Sequence, residues 1–257
     1  MSTVISLANQ KGGVAKTVTT YNLAAAKAKE GARVLMIDLD PQASLTISAG
    51  IEPGDPDYNG LGTIKLFDWH VDPADCCFTV SKSGLDNLFI SPSDIDLAVT
   101  ERSRVISRNS DIQLSKAIDK LREYFDYIFI DCPPQLGTLL SNALTASDKV
   151  IVPVKTEYLA FRGLQALMDT INGVKTGDGD RSLNPQLEVL GIIATMYQTV
   201  SKDARDVLQL LQEQYRVLGV VKQTVDVNRK IIDGMPIVLA NPLSDVSMVY
   251  CNIAKMF

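Results

Sequence analysis

Residues 4–17 read VISLANQKGGVAKT, and the meaning of this stretch decides the fold. An apolar run of strand length is followed by a Gly-rich turn. Lys16 and Thr17 then open a segment of helical composition. Strand, glycine loop and helix in that order aim backbone N–H groups and the positive end of a helix dipole at one point, which attracts an anion. The familiar phosphate-loop pattern is G-x-x-x-x-G-K-[ST]. Counted back from Lys16, its two glycine places hold Gln10 and Ala15, while Gly12 and Gly13 sit between them, preceded by Lys11. Gly12 and Gly13 allow close backbone approach to a ligand. Lys16 adds a cation for the outer phosphates, and Thr17 can give a hydroxyl oxygen to Mg²⁺. The plainer reading is a tight strand-to-helix turn that binds nothing.

Two further stretches weigh against that plainer reading. The second apolar run ends MIDLDPQ, residues 36–42, and a later one ends IFIDCPP, residues 128–134. A carboxylate at the end of a buried strand is costly unless it meets a cation or hydrogen-bond donors. Asp131 suits a residue that holds Mg²⁺ directly or through water, Asp40 one that orients an attacking water, and Asp38 the outer metal shell. One such aspartate can be a helix or turn cap. Three, each after a strand of the same sheet, make capping the weaker account.

The rest of the chain agrees with an α/β fold. Apolar strand-length runs alternate with helical patterns: strand 33–40, strand 87–91 leading to a helix, helix 114–125, strand 126–131, helix 138–147, strand 149–154, helix 160–173, strand 187–197, helix 204–215 and a last helix at 244–257. Residues 50–60 are turn-rich, and 61–110 carry little clear periodicity. Continuous apolar strands between helices mean a single doubly wound, mostly parallel sheet with helices on both faces. Ligands of such sheets bind at the carboxyl ends of the strands. Lys11–Thr17, Asp38–Gln42 and Asp131–Pro134 therefore fall at one edge. No repeat or linker divides the chain, so residues 1–257 read as one domain.

Composition closes off several other classes. An apolar fraction of 46% with 21% charged residues is that of an ordinary globular protein, and a net charge of −5 requires any nucleic-acid contact to come from a local basic patch. Cys76, Cys77, Cys132 and Cys251 contain no C-x-x-C pair, which argues against zinc and iron–sulfur sites and for reduced thiols in a cytoplasmic protein. A lone histidine, His70, argues against a Ser-His-Asp site. No signal peptide opens the chain and no run has the length of a membrane span.

Taken together, KGGVAKT at 11–17, DLDPQ at 38–42, DCPP at 131–134, VIVPVKTEYLAFRGL at 150–164 and the terminal GMPIVLANPLSDVS pattern resemble the ParA/MinD group of deviant Walker A P-loop ATPases, and within it the ParA/Soj-type partition ATPases. The resemblance runs over essentially the whole chain. It implies an ATPase that binds ATP and Mg²⁺ through Lys11, Gly12, Gly13, Val14, Ala15, Lys16, Thr17 and Val18. Metal binding falls to Thr17, Asp38 and Asp131, and catalysis to Lys11, Lys16 and Asp40. It further implies an ATP-closed homodimer in which Lys11 reaches the partner's nucleotide, non-specific DNA binding by the closed dimer, slow hydrolysis stimulated by a ParB-like centromere-binding partner, and a nucleoid-associated place in the cytoplasm. The chain starts at its first strand, so the helix-turn-helix of larger ParA relatives is not expected.

The chain departs from the family's usual KGGVGKTT at Ala15 and Val18. Ala15 directly precedes the helix, which suggests near-helical φ there and a harmless methyl; a left-handed φ would instead cost about 1–2 kcal/mol. DNA candidates are Lys202, Arg205, Arg216, Lys222, Arg229 and Lys230, set against a solvated mixed-charge face. MinD-like membrane positioning, the alternative function, relies on a terminal basic amphipathic helix. Here the terminal MVYCNIAKMF has one lysine, and its Val246, Val249, Ile253 and Met256 face is expected to dock on the core. Trp69 and His70 receive no role.

Overall fold

The structure is a computed structural model that describes residues 2–102, 110–177, 182–224 and 233–257. Strands and helices alternate as the apolar runs require. In chain order they are β1 (Thr3–Leu7), α1 (Lys16–Lys29), β2 (Val34–Asp38), α2 (Ser44–Ser48), β3 (Phe78–Thr79), β4 (Leu88–Ser91), α3 (Asp96–Arg102), α4 (Gln113–Leu121), β5 (Tyr127–Asp131), α5 (Thr138–Ala146), β6 (Lys149–Lys155), α6 (Tyr158–Thr176), β7 (Glu188–Tyr197), α7 (Lys202–Gln214), β8 (Val217–Lys222), α8 (Ile237–Ala240) and α9 (Asp245–Ala254). Among the described residues the strands form one eight-stranded sheet in the order β3-β4-β2-β5-β1-β6-β7-β8. Every pairing is parallel except the two-residue β3–β4 edge.

The central strands are apolar on both sides because both sides are covered. One layer, with Ile5, Leu7, Met36 and Phe129, packs under α1 and α9. The other, with Val4, Leu35, Ile128 and Ile130, packs against α4, α5 and α6. Helix α1 is unusually deep: Tyr21 and Leu23 through Ala26 are buried, and the small alanines let it lie close on the sheet. It is also tied to the C-terminal segment. Thr19 and Tyr250 share a hydroxyl hydrogen bond at 3.3 Å, the Tyr21 hydroxyl donates to the Gly234 carbonyl at 3.0 Å, and the Val238 N–H donates to Asn22 Oδ1 at 3.1 Å.

At the opposite edge of the sheet from the glycine loop, Asp148 organises the entry of β1. It accepts the Val4 N–H at 2.8 Å and a two-pronged pair of bonds from Arg122, both at 2.8 Å. Two features lie outside what the sequence pattern indicated. Strand β8 extends the sheet beyond β7, and residues 56–83 carry four short 3₁₀ turns and the two-residue β3. The terminal helix docks as expected through Val246 and Ile253, with Tyr250 and Ala254 joining them. Met256, expected on that face, is 43% exposed instead, because α9 ends at Ala254 and the chain leaves the helical register.

Candidate phosphate and metal site

β1, β2 and β5 are neighbours in the sheet, so the loops that leave them converge at one edge. The loop after β1 turns through left-handed backbone twice, at Gly13 (φ 70°) and at Ala15 (φ 64°, ψ 33°). Left-handed residues within a tight turn are the backbone from which anion-binding concavities are built. Val14, between them, is buried, and its carbonyl accepts the Thr195 hydroxyl at 3.0 Å. Near-helical φ at Ala15 is thereby overturned. Ala15 is the N-cap of α1, a position outside the helical register, and the reversal in front of Lys16 requires a left-handed residue. Glycine takes that conformation freely; a Cβ costs about 1–2 kcal/mol.

Lys16 is buried at the first turn of α1, and its Nζ donates to the Lys11 carbonyl over a long 3.4 Å. Thr17 and Thr20, one helical turn apart, aim their hydroxyls at Asp131: Thr17 Oγ1 lies 2.6 Å from Oδ2 and Thr20 Oγ1 3.3 Å from Oδ1. Asp131 and Asp38 are register partners at the ends of β5 and β2, both closed off from solvent. Burial pushes both carboxyls well above the ordinary carboxylate range, and the Asp131 charge raises Asp38 further. Around Asp131 the Thr17 hydrogen bond and the Lys16 charge pull the other way without cancelling the burial. Two buried carboxyls beside a threonine hydroxyl form a hard oxygen donor set short of positive charge, which suits Mg²⁺.

The two oxygens of Asp38 are already engaged. Oδ2 accepts the Thr46 N–H at 2.8 Å and the Thr46 hydroxyl at 2.7 Å, and Oδ1 accepts the Asp40 N–H at 3.2 Å. Asp38 therefore anchors α2 and the Asp40 turn, and of the three expected metal residues Thr17 and Asp131 are the better placed as donors. Asp40 is half-buried, accepts the Gln42 N–H at 2.9 Å, and lies near enough for its charge to raise Asp131. Cys132 is a buried thiol pushed up to about 12, chiefly by burial, which makes it a packing group rather than a nucleophile.

Lys11 projects from the loop but is not free. Its Nζ pairs with Glu157 Oε2 at 3.2 Å, and Lys155 pairs with Glu157 Oε1 at 2.6 Å. Those two cations hold the Glu157 carboxyl below its usual range, the Lys155 hydrogen bond contributing most. Glu157, at the start of α6, was legible only as part of the 150–164 stretch. A recess beside the loop is lined by Ala15, Val18, Thr195, Met196, Gln223 and Tyr250, and Met196 itself takes a left-handed φ of 52°. Gly12 is exposed on the loop. Lys202 and Arg205 are exposed on α7, interleaved with Asp203 and Asp206 on the same surface, and Arg216 is exposed beyond the helix. Lys222 pairs with Asp245 at 2.9 Å. Arg229 and Lys230 lie outside the described residues.

A family described as an AAA domain matches residues 2–189. The chain is similar to the sporulation initiation inhibitor protein Soj of Bacillus subtilis (strain 168), with 36% identity over 258 residues, 99% of this chain and 98% of that protein. It is similar to the chromosome partitioning protein ParA of Caulobacter vibrioides, with 34% identity over 261 residues, 98% of this chain and 92% of that one. Among solved structures, cobyrinic acid a,c-diamide synthase from Mycobacterium smegmatis with bound ADP and magnesium superimposes with a TM-score of 0.81 at 32% identity, covering 99% of this chain and 93% of that one.

Proposed function

The chain belongs to the AAA domain family and, within it, to the ParA/Soj type of partition ATPase, and on that premise we propose that residues 1–257 act as one domain coupling ATP hydrolysis to the segregation of DNA. The observation that carries the reading is the convergence of Lys16, Thr17 and the buried Asp131 at the mouth of a left-handed loop. The loop from Gly12 to Val18 and the Lys16 ammonium hold the phosphates of ATP. The Thr17 hydroxyl and the Asp131 carboxylate would hold a Mg²⁺ that arrives with the nucleotide, and that ion would neutralise charge on the outer phosphates. Asp38 keeps the Asp40 turn in place, and Asp40 orients the water that attacks the terminal phosphate. The recess beside Ala15 takes the nucleoside end.

Lys11 acts in trans on the nucleotide of a second copy, in the manner of a cationic finger. It must first leave Glu157, and an exposed pair of that kind costs only about 0.2–1 kcal/mol to break. The closed homodimer binds DNA without sequence preference through exposed cations such as Lys202 and Arg205, with Arg229 and Lys230 as further candidates. A ParB-like partner on cargo DNA stimulates hydrolysis, and the protein works in the cytoplasm on the nucleoid. Membrane positioning of the MinD kind draws little support from α9, whose Val246, Tyr250, Ile253 and Ala254 are spent on the core while Met248 alone of its large apolar residues is exposed, and among the described residues no helix is long and apolar enough to cross a membrane.

The test is ATP hydrolysis measured with and without duplex DNA and a centromere-binding partner, alongside Lys16→Ala and Asp40→Ala. Stimulation by the two together, lost in both variants, supports the reading. Hydrolysis that ignores DNA and partner removes the partition role. DNA affinity that does not fall with rising salt removes the phosphate contacts.

A further inference from the structure

The 3₁₀ turns after α2 and the start of α4 enclose a cavity of about 270 Å³ that shares no lining residue with the phosphate loop. Its floor is apolar: Leu66 and Ala117 are buried in the core, and Phe67 and Val71 pack on it. At its mouth stands Trp69, 83% exposed, with its ring 3.6 Å from that of His70. The rim on the α4 side is Lys116 and Lys120, one helical turn apart and both exposed.

Of the charged residues that line the cavity two are cations, Lys116 and Lys120, and one is an acid, Asp68; Asp72, exposed between Val71 and Pro73, accepts the Ala74 N–H at 3.0 Å. Asp68 lines the cavity, but Lys65 stands 3.9 Å from its Oδ2 and the His70 N–H donates to its Oδ1 at 3.1 Å. Asp119, between the two rim lysines in sequence, faces Arg122 at 3.8 Å. Lys116 and Lys120 themselves enter no ion pair among the described residues. Two cations free of ion pairs therefore stand together beside an apolar hollow. An aromatic side chain left this exposed next to a cavity is also the residue type that most often carries binding energy in protein interfaces.

We propose that this mouth is a docking site for a partner protein's acidic peptide segment, whose apolar side chain enters the cavity while flanking carboxylates meet Lys116 and Lys120 and Trp69 closes over the chain. Apolar filling supplies affinity; the lysines supply orientation and selection by charge. A nucleic-acid strand fits the surface less well. Six of the ten lining residues are apolar, and besides the two lysines only Asp68 and Gln113 offer polar side chains to the edge of a base.

Trp69 is the only tryptophan of the 257 residues, so its emission reports this site alone. The full chain is titrated with the blocked peptide Glu-Glu-Leu-Phe-Glu-Glu, with the same peptide carrying lysine for each glutamate, and with a short thymidine oligonucleotide. A saturable emission change with the acidic peptide only, weakened about tenfold in Lys116→Glu/Lys120→Glu, is the expected result. The double variant keeps its circular dichroism and its nucleotide binding, which separates loss of docking from loss of fold or of ATPase function. Equal responses to both peptides, a response to the oligonucleotide alone, no saturable response up to millimolar peptide, or undiminished binding by the folded double variant would each overturn the proposal.

Discussion

Asp38 and Asp131 end adjacent parallel strands as register partners, and neither carboxyl meets solvent. Both carry raised pKa values, so the folded protein holds protons that the unfolded chain would release. The sign follows. Their stabilising contribution is complete below the ordinary carboxylate range and is lost as pH rises through the folded value, which for Asp131 is about 7. In chelator, the urea midpoint is expected to fall between pH 5 and pH 8, and ATP with Mg²⁺ to restore it at pH 8. Asp131→Asn is expected to flatten that slope and to raise the metal-free stability at pH 8 by about 1–3 kcal/mol while abolishing the magnesium response. A midpoint independent of pH would rule out this account of the pair.

Two alanines, Ala15 and Ala43, sit in left-handed backbone at the N-caps of α1 and α2. Replacing either by glycine relieves about 1–2 kcal/mol of strain and gives back about 0.4–1 kcal/mol in chain entropy. Each of Ala15→Gly and Ala43→Gly should therefore gain roughly 0.5–1 kcal/mol, a rise of about 1–4 °C in the thermal midpoint for a chain of this size. Calorimetry of both single variants and the double one gives the comparison, and nucleotide affinity measured on the Ala15→Gly protein shows whether the methyl also crowds the phosphates.

If Lys11 acts in trans as proposed, its pair with Glu157 within one subunit competes with that contact. Glu157→Gln keeps the side chain's size and removes its charge. It should raise the ATP-dependent association constant by up to about fivefold for each of the two pairs that a homodimer breaks. Lys11→Ala should bind nucleotide as before yet sediment as a monomer with ATP. A Lys11→Ala protein that still dimerises with ATP would assign the lysine to the loop alone.

Asp148 accepts three hydrogen bonds, one from the Val4 N–H and two from Arg122, far from the phosphate loop. The pair is partly solvated, which limits its worth. Asp148→Ala should lower stability by about 1–2 kcal/mol, seen as a shift of the urea midpoint at unchanged slope, with the specific ATPase rate of the folded protein intact.

The sequence carried the parts of this molecule that follow from simple periodicity. Strands β1, β2, β5, β6 and β7 are buried on both faces and so appear as largely apolar runs, and the carboxylates that end β2 and β5 stand out against them. Strand β8 stayed hidden because Gly219 splits its short run and basic residues flank it. The 3₁₀ turns of residues 56–83 have no period long enough to register. Ala15 was misjudged because a residue type rarely found in left-handed backbone occupies a site whose φ is set by the turn around it. Glu157 could not be singled out, since its importance is a matter of where α6 begins relative to a loop 146 residues earlier.

The bonds from Thr19, Tyr21 and Asn22 to Tyr250, Gly234 and Val238 join residues more than 200 positions apart. The helix that carries Lys16 and Thr17 is thus seated by a segment remote in the chain, and local opening of either loosens the other. Amide exchange in α1 and α9 is therefore expected to slow and quicken together.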